Sequence, residues 1–121
     1  MADQDFLTIC LPKPSLRERN LLSPEQAGEL QNIFKTLAND TRLRILHALA
    51  RAEEACVSEI SDQLAMKPQA VSNQLIRLAD RGIVGARRDG NNIYYRIVDP
   101  CVVQLLDHGL SLSEDSKARS K

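Results

Sequence analysis

Two groups of residues in this 121-residue chain could do chemistry. The first is sulfur: Cys10, Cys56 and Cys101. Three cysteines are too few for a disulfide scaffold, and their odd number leaves at least one unpaired within a chain. Thiolates suit soft ions, so cadmium, zinc, lead, copper(I) and arsenic(III) are the ions such side chains would hold. The same atoms could instead sense oxidants or persulfides through a disulfide or polysulfide link. The plain alternative is that a cysteine such as Cys56 is a small buried hydrophobe. The second group is a polar ridge in Lys67–Leu78, where Gln69, Ser72, Asn73 and Arg77 recur at i, i+3, i+4 and i+8. Amide, hydroxyl and guanidinium groups read base edges and phosphates in a DNA major groove. The plain alternative here is a solvated helix face.

Catalysis finds little support. There is no glycine-rich phosphate loop, no HExxH and no plausible serine, histidine and acid set. With two histidines, two tyrosines, two phenylalanines and no tryptophan, the chain also lacks the stacking platforms that hold single-stranded nucleic acid. No enzyme is expected.

The elements that position these groups can be placed in order. Ser23-Pro24-Glu25-Gln26 is a helix start, with Ser23 as N-cap, Pro24 first in the helix and Gln26 closing a capping box. Ala27, Leu30, Phe34 and Leu37 follow at helical spacing, and Ile33 widens the stripe, so this helix should bury two sides. Asn39-Asp40-Thr41 offers a second cap, before Leu43, Leu46, Leu49 and Ala50. His47 falls in this second helix and is read as structural. After a polar connection over 51–55, Val57, Ile60 and Leu64 mark a short third helix whose first turn carries Cys56. Ala65-Met66-Lys67 is a tight turn, and Pro68 opens the helix of the polar ridge, whose other side is Val71, Leu75 and Leu78. Two short helices so joined, the second polar outside, form a helix-turn-helix.

Beyond Arg81-Gly82 the period changes. Residues 83–88 and 93–98 are short β-branched and aromatic runs around Asp89-Gly90-Asn91-Asn92, a hairpin signal. Ile93, Tyr95 and Ile97 should face the core, with Tyr94 and Arg96 outward. A basic hairpin directly after such a helix is a wing, which grips phosphates beside the groove. Asp99-Pro100 starts a closing helix in which Val102, Val103, Leu105, Leu106 and Leu110 exceed what one face can bury, so an interface is expected. Residues 111–121 are polar and charged and are expected to be disordered.

The chain thus divides into an arm (1–22), a winged helix-turn-helix (23–110) and a tail (111–121). The fold class is mainly α with a small β-hairpin. Net charge is zero, yet from Lys67 to Val98 six cations face two acids, a basic segment in a neutral chain. Met1–Cys10 carries acids and lacks the apolar core of a signal peptide, and no long apolar run suggests a membrane span. A cytoplasmic protein is the natural expectation.

In its order of elements the chain resembles the ArsR/SmtB family of small dimeric winged helix-turn-helix repressors. The resemblance is carried by LANDTRLRILHAL (Leu37–Leu49), EACVSEISDQL (Glu54–Leu64) with QAVSNQLIRLADRGIV (Gln69–Val84), and RRDGNNIYYRI (Arg87–Ile97). It implies a homodimer built on the first and last helices, bound to an inverted-repeat operator in double-stranded DNA and released by a metal ion or thiol-active signal. Gln69, Ser72, Asn73 and Gln74 are then candidates for base and phosphate contacts. Arg77, Arg87 and Arg88 should act mainly on phosphates, with Asn91 at the wing tip.

The resemblance also implies an inducer site. Cys56 lies where members place a metal-binding cysteine, although their second cysteine is replaced here by Ser58. Cys10 in the arm is placed to assist, giving a soft-metal site of the cadmium, zinc, lead or arsenic(III) type, and a three-sulfur site of Cys10, Cys56 and Cys101 would use the same atoms if they converge. Other members bind zinc on the closing helix. Asp99 and Cys101 match the first two of those ligand positions, but the next falls near Leu112, so that set is incomplete unless His108, Glu114 or Asp115 substitutes. A redox- or persulfide-responsive repressor of the same fold is the alternative.

Overall fold

Ser23 starts the first helix as its sequence requires. Its hydroxyl accepts from the Gln26 N–H at 3.1 Å, and the Gln26 carbonyl oxygen Oε1 accepts from the Ser23 N–H at 3.0 Å. Two otherwise orphaned donors are satisfied reciprocally, with Pro24 first in the helix. The computed structural model describes residues 12–120. A 3-10 turn (Leu16–Glu18) precedes α1 (Pro24–Leu37), α2 (Asp40–Ala52), β1 (Ala55–Cys56), α3 (Val57–Leu64), α4 (Pro68–Asp80), β2 (Val84–Asp89), β3 (Asn92–Ile97) and α5 (Pro100–Arg119). Five α-helices and a wing make the winged helix-turn-helix expected from the sequence. Among the described residues no helix is long and apolar enough to cross a membrane.

Asn39 caps α2, its side chain accepting from the Arg42 N–H at 3.0 Å. The core collects Leu37, Ile45, Leu46, Leu49, Ile60, Val71, Leu75, Leu78, Ile83, Val84 and Tyr95. It sits where α2, α3 and α4 meet the sheet. The end of α4 is fixed locally: Gly82, at φ 75°, donates to Ala79, and Ile83 donates to Leu78, each at 3.0 Å. This is the paired pattern of a Schellman cap, and both Ile83 and Leu78 join the core.

The sheet has three antiparallel strands in the order β1-β3-β2. Asp89 pairs with Asn92, so Gly90-Asn91 is a two-residue loop, and Gly90 takes the positive φ of 65° that the first position of a II′ turn demands. The expected facing of β3 holds at Tyr95, which is buried, and at Ile97, half-buried, while Ile93 lies exposed near the wing tip. The third strand was not expected. Ala55–Cys56, read as loop and helix start, pairs with Tyr95 and Tyr94 of β3.

Two further differences lie in helices. Helix α5 spans Gly109 and continues to Arg119, where a disordered tail was expected. Its last two turns are wholly exposed, and acids precede bases at helical spacing, Glu114 before Lys117 and Asp115 before Arg119, a pattern that supports a solvated helix. His47, read as structural among core positions, is exposed instead. It lines a cleft of about 410 Å³ with Arg44 and Arg51. The expected apolar excess is borne out only in part: Leu30, Ile33 and Phe34 of α1 and Leu110 of α5 are all at least 40% exposed in the single chain, Val102, Val103, Leu105 and Leu106 are half-buried, and Leu112, read as part of the tail, is exposed as well.

Candidate nucleic-acid interface and thiol site

Helix α4 turns Val71, Leu75 and Leu78 fully into the core, which fixes what faces outward. Gln69 and Asn73 stand exposed on that outer side, and Ser72 is half-buried beside them. The Gln69 amide donates to Asn73 Oδ1 at 3.0 Å, so the two groups form one hydrogen-bonding ridge one helical turn long. Arg77 is exposed next to it. Gln74 is different. Its Oε1 accepts from Arg42 Nε at 2.8 Å, and it lies half-buried on the flank toward α2 rather than on the ridge. Arg42 also donates to the Thr36 carbonyl at 3.0 Å, so this one guanidinium ties α1, α2 and α4 together.

Beside that tie lies a cleft of about 560 Å³ lined by Lys35, Arg42, Arg77, Asp80 and Arg81 among others. Four cations against one carboxylate make the flank of α4 positive. Among the described residues the only ion pairs within 4 Å are those of Arg87, so the charges of Lys35, Arg77 and Arg81 stand uncompensated by contact.

The wing presents its basic residues unequally. Arg88 is exposed at the start of the hairpin bend. Asn91 occupies the loop tip. Arg87 is held: its Nε donates to Glu54 Oε2 at 2.8 Å and its Nη2 to Oε1 at 2.7 Å, a bidentate pair. Its third nitrogen lies 3.7 Å from Asp89, and its guanidinium sits 5.0 Å above the Tyr94 ring. The hydrogen bond from Arg87 holds the Glu54 carboxyl below its ordinary 4.5 and raises Arg87 in turn. Neither Glu54 nor Arg42 was singled out from the sequence, because their partners are 33 and 32 residues away.

Of the three cysteines, Cys10 lies outside the described residues. Cys56 is a free thiol, 9% exposed. It ends β1 and caps α3. The Glu59 carboxylate reaches back to accept from the Cys56 N–H at 3.0 Å, which is the main reason that carboxyl sits below its ordinary value. The Cys56 sulfur is 3.2 Å from the Ser58 hydroxyl, within hydrogen-bonding reach. Cys101, half-buried in the first turn of α5, is disulfide-bonded. Asp99 is occupied in capping that helix, accepting from the Cys101 N–H at 2.9 Å. Among the described residues no three His, Cys, Asp or Glu side chains gather closely enough to hold a metal ion. The four-ligand set considered for the closing helix is therefore not assembled within one chain.

A model of the bacterial regulatory protein arsR family matches residues 39–85, the stretch from the α2 cap to the start of the wing. Among solved structures, the AntR antimony-specific transcriptional repressor superposes with a TM-score of 0.77 at 57% identity, covering 91% of this chain and 99% of that one. A homodimeric winged helix-turn-helix DNA-binding domain from Mycobacterium bovis, a possible ArsR-family regulator, gives 0.65 at 32% identity over 80% and 92%. A transcriptional repressor SmtB homolog of Synechocystis sp. is 38% identical over 85 residues, 70% of this chain and 64% of its own length.

Proposed function

Since this chain belongs to the ArsR/SmtB family of winged helix-turn-helix transcriptional repressors, we propose that it binds an inverted-repeat operator as a homodimer and leaves it when a thiophilic ion reaches its cysteines. The dimer is supported by the exposed apolar residues of α1 and α5 and by the homodimeric state of the Mycobacterium bovis relative. Two copies of α4 then enter successive major grooves roughly 34 Å apart. Gln69, Ser72 and Asn73 contact bases and nearby phosphates. Arg77, Arg88 and the wing tip at Asn91 hold the backbone, with Arg87 joining them when freed from Glu54. Gln74 serves the groove indirectly, by fixing the pitch of α4 against Arg42.

The observation that carries the inducible part is the place of Cys56. Its strand is paired with β3 of the wing, Cys56 opposite Tyr94, and its sulfur heads α3, which packs on α4. A ligand that draws on this sulfur displaces both DNA-contacting elements at once. Such a ligand shifts the dimer between two geometries only by its difference in affinity for them. Soft thiolate ligands select the ion class, and the relation to an antimony-specific repressor favours a trivalent metalloid, antimony(III) or arsenic(III), over cadmium, zinc or lead. Further thiolates come from Cys101 once reduced and from Cys10, within one chain or across the dimer.

The disulfide at Cys101 supports a second reading, in which oxidation or persulfidation of that thiol is the signal. One experiment separates them. Bound operator is challenged with antimony(III), arsenic(III), cadmium, zinc, lead, peroxide and polysulfide, for the wild type and each Cys→Ser variant. The metalloid reading requires release by antimony(III) that Cys56→Ser abolishes. Release by polysulfide alone, abolished by Cys101→Ser and indifferent to Cys56→Ser, supports the second reading instead.

A further inference from the structure

We infer that Ile76 is a base-reading residue, one that packs on the 5-methyl group of an operator thymine. The inference rests on the DNA-binding reading above. Ile76 is 50% exposed, on a helix whose other aliphatic side chains of similar size, Val71, Leu75 and Leu78, are completely buried. It follows Gln69 and Asn73 at i+7 and i+3, so it stands on the same outer ridge, opposite the core.

A branched aliphatic group at that place gains nothing from water, and half of its surface is left uncovered in the single chain. The major groove offers one apolar group on its floor, the thymine methyl. The alternative on DNA is the phosphate backbone, and Ile76 has no hydrogen-bonding atom to offer a phosphate.

Spacing makes the inference specific. Ile76 lies three residues beyond Asn73, roughly 4.5 Å along the axis of α4. Base pairs succeed one another at about 3.4 Å. The thymine should therefore lie one or two base pairs from the base that Asn73 addresses, once in each half-site. The three residues divide the reading between them: Gln69 and Asn73 recognise donors and acceptors, and Ile76 distinguishes thymine from the bases without a methyl.

The test removes the methyl and nothing else. Each operator thymine is replaced in turn by deoxyuridine, symmetrically in both half-sites, and affinity is measured for the full-length wild type, Ile76→Ala and Ile76→Val. At one symmetric pair of positions the wild type should lose about fourfold per half-site, the worth of one buried methyl. Ile76→Ala should bind the unmodified operator more weakly and be indifferent to uracil there. Ile76→Val, which keeps two methyl groups, should retain part of the sensitivity. A wild type that binds its operator but ignores every uracil substitution overturns the inference and leaves the repressor standing. Equal uracil sensitivity in the wild type and Ile76→Ala also overturns it. A wild type that binds no duplex sinks the repressor reading and this one with it.

Discussion

Replacing Glu54 by glutamine keeps the side chain's length and removes its charge. The consequence for DNA binding can be worked from the wing. In the free protein two of the three Arg87 nitrogens point into the Glu54 carboxylate, at 2.8 and 2.7 Å. The Glu54 carboxylate already offsets the charge of this guanidinium, so the pair adds no net charge to the interface while it persists. In Glu54→Gln the guanidinium keeps its position over Tyr94, 5.0 Å away, and is free to neutralise a phosphate. Each added phosphate contact steepens the slope of log K against log salt by about 0.9, so two half-sites add about 1.8. Between roughly 50 and 200 mM salt that is about a tenfold larger loss of affinity than in the wild type, starting from tighter binding at low salt. Fluorescence anisotropy with labelled operator across that range reads both quantities. In the wild type Arg88→Ala should flatten the slope more than Arg87→Ala, because Arg88 has no competing carboxylate. If Glu54→Gln weakens binding, the carboxylate presents Arg87 to DNA rather than withholding it. If Glu54→Gln and Arg87→Ala both leave the slope unchanged, the wing does not touch the backbone through this residue.

Three other outcomes follow from the same geometry. Leu75→Ala removes a side chain with no exposure from beneath the recognition ridge and should cost about 2–5 kcal/mol in urea unfolding, with operator affinity lost only as the folded fraction falls. Ala65→Gly should do the reverse. Ala65 ends α3 in the left-handed region at φ 53°, where a Cβ costs roughly 1–2 kcal/mol, so glycine should raise the urea midpoint without altering DNA binding. Glu54 and Glu59 both have carboxyl groups lowered from 4.5 in the folded chain. The stability they contribute is present above that ordinary value and is lost as pH falls through their lowered folded values. The melting temperature of Glu59→Gln should accordingly fall less steeply than that of the wild type as pH drops below about 4.5.

Much of the fold was legible because its signals are local. Ser23 with Gln26, Asn39 before α2, Pro68 at the head of α4 and Asp-Gly at the hairpin each need only their neighbours to act. The alternation that buries Tyr95 and the 3.6-residue spacing that buries Val71, Leu75 and Leu78 are local as well. Strand β1 was not legible, because two residues carry no periodicity and Ala55–Cys56 become a strand only by pairing with β3. The extension of α5 was hidden for the opposite reason: within the single chain it is wholly exposed, so no core-facing stripe announced it. At the candidate site the ridge of Gln69 and Asn73 was readable from spacing. The retreat of Gln74 toward Arg42 and of Arg87 toward Glu54 was not, since each depends on a partner more than thirty residues away. Ile76 carries no hydrogen-bonding group, so the polar spacing of that face does not single it out.

In the proposed complex two copies of α4, held at a fixed separation, meet two half-sites on one duplex. Insertion of five base pairs, half a helical turn, between the half-sites of the operator tests it most directly. The two-copy geometry predicts that specific affinity collapses toward that for random DNA and returns in part when ten base pairs are inserted, because successive major grooves repeat about every 10–10.5 base pairs. Affinity that is indifferent to the inserted length, with one protomer bound per half-site, would contradict it.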